Sequence, residues 1–165
     1  MNLSLLAIPL ALSLFGGHAR AADSAAVGAA VPLRVATFNT WGLAYPVASP
    51  ARELRFPRIE AALEALEADV VGLQEVWRGA WGLLDLGPRL HQLRHGGDTG
   101  LALVSPHPVS HMQTHAYDDA RGIDAVKRKG VLSARVHLPG ADPVVVTVTH
   151  LQAGGGLRNA QIRGR

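Results

Sequence analysis

One stretch, residues 70–77, constrains the fold of this chain more than any other. Its first four residues, Val70–Leu73, form a short apolar run of the kind found in a strand that is covered on both faces. Glu75 follows where the run stops, and a charged side chain is rarely buried unless it is paired or bound to metal. The pattern predicts that Glu75 lies at the open end of a sheet, where α/β proteins place ligand sites. The alternative is a solvated glutamate at a strand end.

Composition places the chain among globular proteins. Its 165 residues are enough for one domain with a core, and 48% are apolar against 18% charged, which excludes a disordered chain. The absence of cysteine excludes disulfides and thiolate metal sites. The formal net charge is +3, but the basic residues are scattered and cluster only at Lys127-Arg128-Lys129. This is a weak indication of nucleic-acid binding, which usually requires a basic stripe.

The N-terminal segment has the pattern of a secretory signal peptide. Residues 3–15 are almost wholly apolar, yet the run is shorter than the roughly 20 residues of a transmembrane helix. Ala19-Arg20-Ala21 is a small-x-small cleavage pattern. We therefore predict a signal peptide over residues 1–21, an Ala-rich lead-in over 22–32, and a secreted or periplasmic protein. Because Met1–Ser4 lacks Lys or Arg, a buried or lipid-facing N-terminal helix is the alternative.

Apolar periodicity predicts alternating strands and helices. Alternation predicts a first strand over 33–39, and three- and four-residue steps predict a helix over 57–67, with Pro57 in its first turn. After the strand at residue 70, further strands are predicted near 101–105, 109–117, 131–138 and 144–151, the last two forming an antiparallel hairpin. Residues 157–165 predict another helix.

Polar residues end three of the predicted strands. They are Asn39, Glu75 and His150. Strand ends at one edge of a sheet can converge on one site, where carboxylate and amide oxygens suit Mg²⁺ and a histidine suits an anionic substrate. Asp124 and Lys129 precede the hairpin, and lysine is a natural phosphate partner. Structural roles stay open for these residues: turn caps for Asn39 and Asp124, a satisfied strand-end histidine, and a solvated lysine.

Together these motifs resemble the endonuclease/exonuclease/phosphatase superfamily, which has the DNase I-like fold. Within it, they are most similar to neutral sphingomyelinases and related phospholipase C enzymes. The resemblance runs over residues 33–161 and rests on Thr37-Phe38-Asn39, Asn39-x-Trp41-Gly42, Gln74-Glu75-Val76-Trp77, Gly100–Ser105, Thr149–Ala153, and an Asp124 that precedes Lys129-Gly130 by five residues.

The resemblance implies a fold class and a site. The fold would be α/β, in the sense of an α+β sandwich with four αββα layers. Glu75 would be the principal Mg²⁺ ligand, and Asn39 would help to hold the metal and the scissile phosphate. His150 would hydrogen-bond a phosphoryl oxygen. Lys129 would contact the phosphate, and Asp124 would position Lys129 or act as its switch partner.

The chain also departs from the family pattern. The family has an Asp-x-Asn motif and a final Asp-His pair in its second half, and that last histidine is the general base. Nothing after His150 matches either motif. Residues 33–165 are therefore predicted to be the N-terminal part of such a domain, truncated to about its first half.

These features lead to a functional expectation with two alternatives. The first is a Mg²⁺-dependent phosphodiesterase that hydrolyses a phospholipid headgroup, as in sphingomyelin, at a membrane surface, with weak or no activity in this chain. The alternatives are an endonuclease of the same superfamily, which the sparse basic charge and the Asp124/Lys129 loop disfavour, and a non-catalytic half-domain.

Self-association is a further expectation. The predicted strands would mostly form one sheet, whose inner face would lack a partner. That face would carry Leu132, Ala134 and Val136. An uncovered apolar face of this kind predicts dimerisation or aggregation.

Overall fold

The computed structural model describes residues 31–43, 52–77, 84–91, 99–119, 122 and 127–164. The predicted signal peptide, most of the lead-in and Asp124 lie outside these residues. The described elements are β1 (Val35–Asn39), α1 (Arg52–Ala65), β2 (Val70–Gln74), β3 (Leu90–His91), β4 (Ala102–Val104), β5 (Val109–Ala116), β6 (Gly130–Val136), β7 (Val144–His150) and α2 (Leu157–Arg163).

The strands form two sheets. The first has the order β1-β2-β4-β3, with β1 parallel to β2 and the other pairs antiparallel. The second has the order β5-β6-β7 and is antiparallel throughout, which confirms the predicted hairpin of β6 and β7. Mixed sheets with flanking helices confirm the α/β class.

The two-sheet arrangement corrects the expectation of a single sheet. Leu132, Ala134 and Val136 are buried against Val70 and Leu103 of the first sheet. The inner face of β6 is therefore covered within the chain. The prediction failed because alternation shows that a strand has one apolar face but does not show which sheet the strand joins.

Helix α1 covers the other face of the first sheet. Phe56, Ile59 and Leu63 are buried against Val71 and Leu73 of β2, so β2 is covered on both faces as its apolar run predicted. These three helix positions follow the three- and four-residue spacing of an apolar helical stripe.

The predicted start of the helix was wrong. Helix α1 begins at Arg52, so Pro57 lies beyond the first turn, where its ring removes one backbone hydrogen bond. The apolar face of the helix, packed on the sheet, keeps it helical despite this proline. The helix ends at Ala65, and Glu67 then adopts a left-handed backbone with φ 45°. Neither helix in the described part of the chain has the length and apolar composition needed to cross a bilayer.

Gly72 sets the distance between the two sheets at the centre of β2. A Cβ atom added there would lie 2.8 Å from Val148 Cγ2 of β7, closer than packed carbon atoms approach. Glycine at this position therefore allows β7 to pack directly on β2. Because β7 ends at His150, this close approach brings the end of β7 towards the end of β2.

We expect Gly72→Ala to destabilise the protein by about 1–3 kcal/mol, because the added methyl group overpacks the interface between the sheets. The measurement is chemical denaturation. Gly155→Ala is the matched control: nothing lies within 4 Å of that position, so the free energy of unfolding should change by less than about 0.5 kcal/mol. The cost of Gly72→Ala should shrink in a Val148→Ala background. An equal cost in both backgrounds would contradict the close approach.

Candidate active site

The three predicted strand-end residues lie at one edge of the sandwich. Asn39 ends β1 and Glu75 follows β2, and because these strands are parallel their carboxyl ends meet. His150 ends β7 in the second sheet, and its Nε2 lies 3.8 Å from Glu75 Oε1. The structure thus brings together groups that come from both sheets.

The pairing of β1 with β2 continues past the ends of the strands. The Thr40 amide donates to the Gln74 carbonyl at 2.9 Å, and the Gly42 amide donates to the Glu75 carbonyl at 3.0 Å. Thr40 is buried, and its hydroxyl also donates to the Gln74 carbonyl. These bonds fix the backbone on both sides of the site.

Two site residues hold left-handed backbone conformations. Trp41 has φ 49° and Glu75 has φ 61°. Such a conformation costs a residue with a side chain roughly 1–2 kcal/mol, so the surrounding bonds must impose it. One of these bonds runs from the Val76 amide to the Gly100 carbonyl at 2.9 Å. Backbone strain of this kind is concentrated at functional sites, and here it turns the Glu75 side chain at the end of the buried strand.

One oxygen of the Glu75 carboxylate accepts a hydrogen bond, and the other does not. Oε1 accepts a hydrogen bond from Asn39 Nδ2 at 3.0 Å. Oε2 is buried and has no hydrogen-bond partner. The side chain is only 15% exposed. Asn39 is itself fixed, since its Oδ1 accepts from the Trp41 amide at 2.8 Å.

This donor set fits a hard divalent cation. A buried carboxylate oxygen without a partner is costly, and a magnesium ion is the kind of group that would satisfy it. Asn39 contacts the carboxylate through its amide nitrogen, so in this structure it orients Glu75; its role as a second ligand stays a prediction. Within the described ranges, no group of three or more His, Cys, Asp or Glu side chains could hold a metal ion. Binding by Glu75 and Asn39 alone should therefore be weak.

Lys129 and His150 place positive charge and hydrogen-bonding capacity beside Glu75. Lys129 is 5% exposed, and its Nζ lies 3.2 Å from Nδ1 and 3.3 Å from Nε2 of His150. Because an ammonium group only donates, a ring nitrogen of His150 accepts this bond. A buried cation beside a carboxylate site is suited to an anionic substrate.

Trp77 is a site residue whose contacts the sequence did not predict. It is 2% exposed, its indole Nε1 has no hydrogen-bond partner, and Lys129 Nζ lies 5.6 Å from its ring centroid. Lys127 Nζ lies 5.1 Å from the same centroid. The Gln-Glu-Val-Trp motif indicated that Trp77 belongs near the site, but no sequence pattern indicates which cations contact its ring.

Arg55 of α1 is a second residue that the sequence reasoning missed. Its Nη2 donates to the Trp41 carbonyl at 2.7 Å, and its guanidinium carbon lies 5.1 Å from the centroid of the Trp41 ring. The helix thereby holds the strained turn after β1 in place. Within a helix rich in charged residues, no spacing distinguishes this arginine from its exposed neighbours.

The structure thus places four of the five predicted site residues together: Asn39, Glu75, Lys129 and His150. The fifth, Asp124, lies outside the described residues, so its predicted role in positioning Lys129 stays a prediction. The roles assigned by resemblance, as metal ligand or phosphate contact, also stay predictions.

A separate Asp-His pair lies at the opposite end of β2. His107 Nε2 is 2.9 Å from Asp69 Oδ1, and the Arg34 amide donates to Asp69 Oδ2 at 2.8 Å. Asp69 precedes β2 whereas Glu75 follows it, so the length of that strand, roughly 17 Å, separates the pair from the candidate site. The pair joins the segment before β2 to the segment after β4. The hydrogen bond from His107, followed by that from the Arg34 backbone, lowers the pKa of Asp69 below its usual value.

The chain belongs to the Endonuclease/Exonuclease/phosphatase family, whose sequence profile matches residues 36–155. The match covers β1 to β7 and therefore contains all the candidate site residues. No curated protein sequence matches the chain significantly.

Solved structures with the same fold include a sphingomyelinase C and a beta toxin. Sphingomyelinase C from Streptomyces griseocarneus is 26% identical, with a TM-score of 0.61 over 76% of this chain and 51% of that one. Beta toxin from Staphylococcus aureus is 22% identical, with a TM-score of 0.68 over 79% of this chain and 55% of the toxin. A mutant of the same toxin with bound magnesium ions is 20% identical, with a TM-score of 0.60 over 76% and 51% of the two chains. The chain thus spans about half the length of these structures, and its fold is DNase I-like.

The Asp69 pair generates a prediction about stability and pH. Since the pKa of Asp69 is lowered on folding, its contribution is fully present above about pH 4 and is lost as the pH falls through the lowered value. Asp69→Asn should reduce the free energy of unfolding by about 1–3 kcal/mol near pH 7, and the deficit should shrink towards about pH 2. Denaturation of both proteins over this range tests it, with exposed Asp142→Asn as the control. A deficit that does not change with pH would contradict a charge effect.

Because Glu75 Oε2 has no hydrogen-bond partner, we predict that magnesium binding depends on Glu75. Mg²⁺ should raise the melting temperature of the wild-type protein, and Glu75→Gln should weaken the apparent affinity by at least about tenfold, because the amide lacks the anionic oxygen. Thermal-shift and calorimetric titrations measure both effects. Asp142→Asn removes one exposed carboxylate in the turn at the other end of β7 and should respond like wild type. Equal responses from wild type and Glu75→Gln would remove Glu75 from the metal site.

Proposed function

We propose that this chain carries the metal-binding side of a Mg²⁺-dependent phosphodiesterase site that acts on a phospholipid headgroup, as in sphingomyelin. The proposal rests on Oε2 of Glu75, which is buried, has no hydrogen-bond partner and lies beside the Lys129–His150 pair. A carboxylate suited to a hard cation thus lies next to cationic groups suited to a phosphate.

Each residue has a distinct proposed role. Glu75 would hold the magnesium ion, and Asn39 orients the Glu75 carboxylate through its amide group. His150 and Lys129 would bind phosphoryl oxygens and orient the phosphate towards the metal side. When bound, Mg²⁺ would stabilise negative charge on the phosphate and on the leaving oxygen. Burial strengthens these interactions because water screens them less.

The choice of a lipid over a nucleic acid rests on two observations. One structural neighbour is a sphingomyelinase C, and basic residues form no stripe in the sequence. A nucleic-acid enzyme usually carries such a stripe, which neutralises successive phosphates. The proposed substrate therefore lies at a membrane surface, and the protein would be secreted or periplasmic. An endonuclease of the same family is the second candidate.

A non-catalytic half-domain is the candidate from another class. The matched motifs include no residue that corresponds to the family's general base, and the Asp69–His107 pair is too far from Glu75 to replace it. A missing general base typically lowers the rate by about 10²–10⁴-fold. We therefore propose that the chain retains the fold and the phosphate side of the site but hydrolyses its substrate weakly or not at all.

Self-association also stays a proposal, but the proposed contact surface is no longer the inner face of β6. The face formed by Leu132 and its neighbours is buried, so it is not available to a partner. Exposed apolar side chains instead lie at and before the edge strand β1, at Val31, Leu33 and Val35. Among the described strands, β1 lies at one edge of its sheet, and an edge strand with such residues is a typical surface for association between chains.

A comparison of two substrates separates these candidates. Purified protein is incubated with sphingomyelin vesicles or with supercoiled DNA, each with Mg²⁺ or with a chelator, and release of phosphocholine or nicking is measured. We expect slow phosphocholine release, at least about 10²-fold below a complete enzyme, and no nicking. Glu75→Ala should abolish the residual release, whereas Asp142→Asn should not change it.

Three outcomes would change the proposal. Rapid Mg²⁺-dependent release that Glu75→Ala abolishes would overturn the expectation of weak activity. Mg²⁺-dependent nicking without lipid hydrolysis would favour the endonuclease. Complete inactivity on both substrates, together with Mg²⁺ binding that does not depend on Glu75, would favour the non-catalytic half-domain.

A further inference from the structure

The only two lysines of the chain both make cation–π contacts with one aromatic ring. Lys127 and Lys129 are the sole lysines among 16 basic residues, and all the others are arginines. Their ammonium nitrogens lie 5.1 Å and 5.6 Å from the centroid of the Trp77 ring. Both distances are within the range of a cation–π interaction.

The ring attracts two cations that repel each other. The negative faces of an indole stabilise an ammonium ion, most strongly where water is excluded, and Trp77 is 2% exposed. Lysine, unlike arginine, presents a compact charge that suits the tetrahedral oxygens of a phosphate. An anion that contacts both ammonium groups would neutralise their charge.

The position of the ring is fixed by backbone rather than by flexible side chains. Trp77 packs on Gly100, where an added Cβ would lie 2.6 Å from Cζ3 of the ring. Gly100 also has φ 64° and accepts the hydrogen bond of the Val76 amide. The ring is therefore tied to the same strained segment that presents Glu75.

We propose that Trp77 is a positioning residue that holds Lys127 and Lys129 beside His150 as a two-lysine phosphate-binding pair. Lys129 reaches His150 directly, and Lys127 supplies a second phosphate contact that the family resemblance did not imply. This inference rests on the proposed function, because that proposal makes this edge of the sandwich a phosphate site. It adds a residue that acts through the lysines and touches no reacting atom.

Lysine-selective isotope labelling tests the positioning directly, since the chain gives only two lysine side-chain signals. In the full-length wild-type protein, the ring current of Trp77 should shift the εCH₂ signals of both lysines, and inorganic phosphate should shift both again. Trp77→Leu should remove the ring-current shifts and weaken phosphate binding by about tenfold or more. Trp77→Phe, which keeps an aromatic ring, should retain most of both effects.

Two control variants separate positioning from general stability and charge. Phe56→Leu removes another fully buried ring, on the α1 side of the first sheet, and should lower the melting temperature without moving either lysine signal. Lys127→Gln and Arg128→Gln remove the same charge from adjacent residues. Arg128 is exposed, so only Lys127→Gln should weaken phosphate binding several-fold. If Trp77→Leu does not fold, this pair still tests the two-lysine site, and Trp77→Phe with the wild-type ring-current shifts tests the role of the ring.

Three results would each overturn a defined part of this proposal. Phosphate binding by folded Trp77→Leu within about twofold of wild type would overturn the positioning role. Equal losses in Lys127→Gln and Arg128→Gln would show a general charge effect and overturn the lysine pair. Phosphate that shifts neither lysine in wild type would also overturn it, whereas the hydrolysis assay would still decide the proposed function by itself.

Discussion

The candidate site depends on the parallel pairing of β1 with β2. This pairing aligns Asn39 with Gln74, and its continuation through Thr40 and Gly42 fixes the backbone of Glu75 in a left-handed conformation. This pairing places the Asn39 side-chain amide 3.0 Å from the Glu75 carboxylate. The second sheet then adds His150, because Gly72 lets β7 pack closely on β2.

The strand ends were predictable from the sequence, and the sheet arrangement was not. Apolar runs that stop at Asn39, Glu75 and His150 place polar groups at strand ends by local pattern alone. Whether β6 joins the first sheet or packs on it depends on contacts distant in sequence, which alternation does not encode. The same limit explains Pro57: a proline favours the first turn of a helix, but the packing of Phe56 and Ile59 on β2 extends α1 to a start before it.

The contacts of Trp77 illustrate why part of the site was not predictable. Two lysines reach its ring from the segment that precedes β6, about fifty residues away in sequence. Family resemblance supplied Glu75, Asn39, Lys129 and His150 as a set, but not the residues that hold them. Those supporting residues come from the tertiary structure, and they connect the lysine side of the site to the carboxylate side through Gly100.

We propose that Glu75 and the Lys129–His150 pair form one site for a divalent cation and a phosphate. The most direct measurement is a crystal structure of the protein grown with Mn²⁺, in place of Mg²⁺, and phosphocholine, with the metal located by its anomalous scattering. We expect a metal peak about 2.1 Å from Glu75 Oε2, with the phosphate between that metal and Lys129. A metal peak away from Glu75, or a phosphate that does not contact Lys129 or His150, would contradict it.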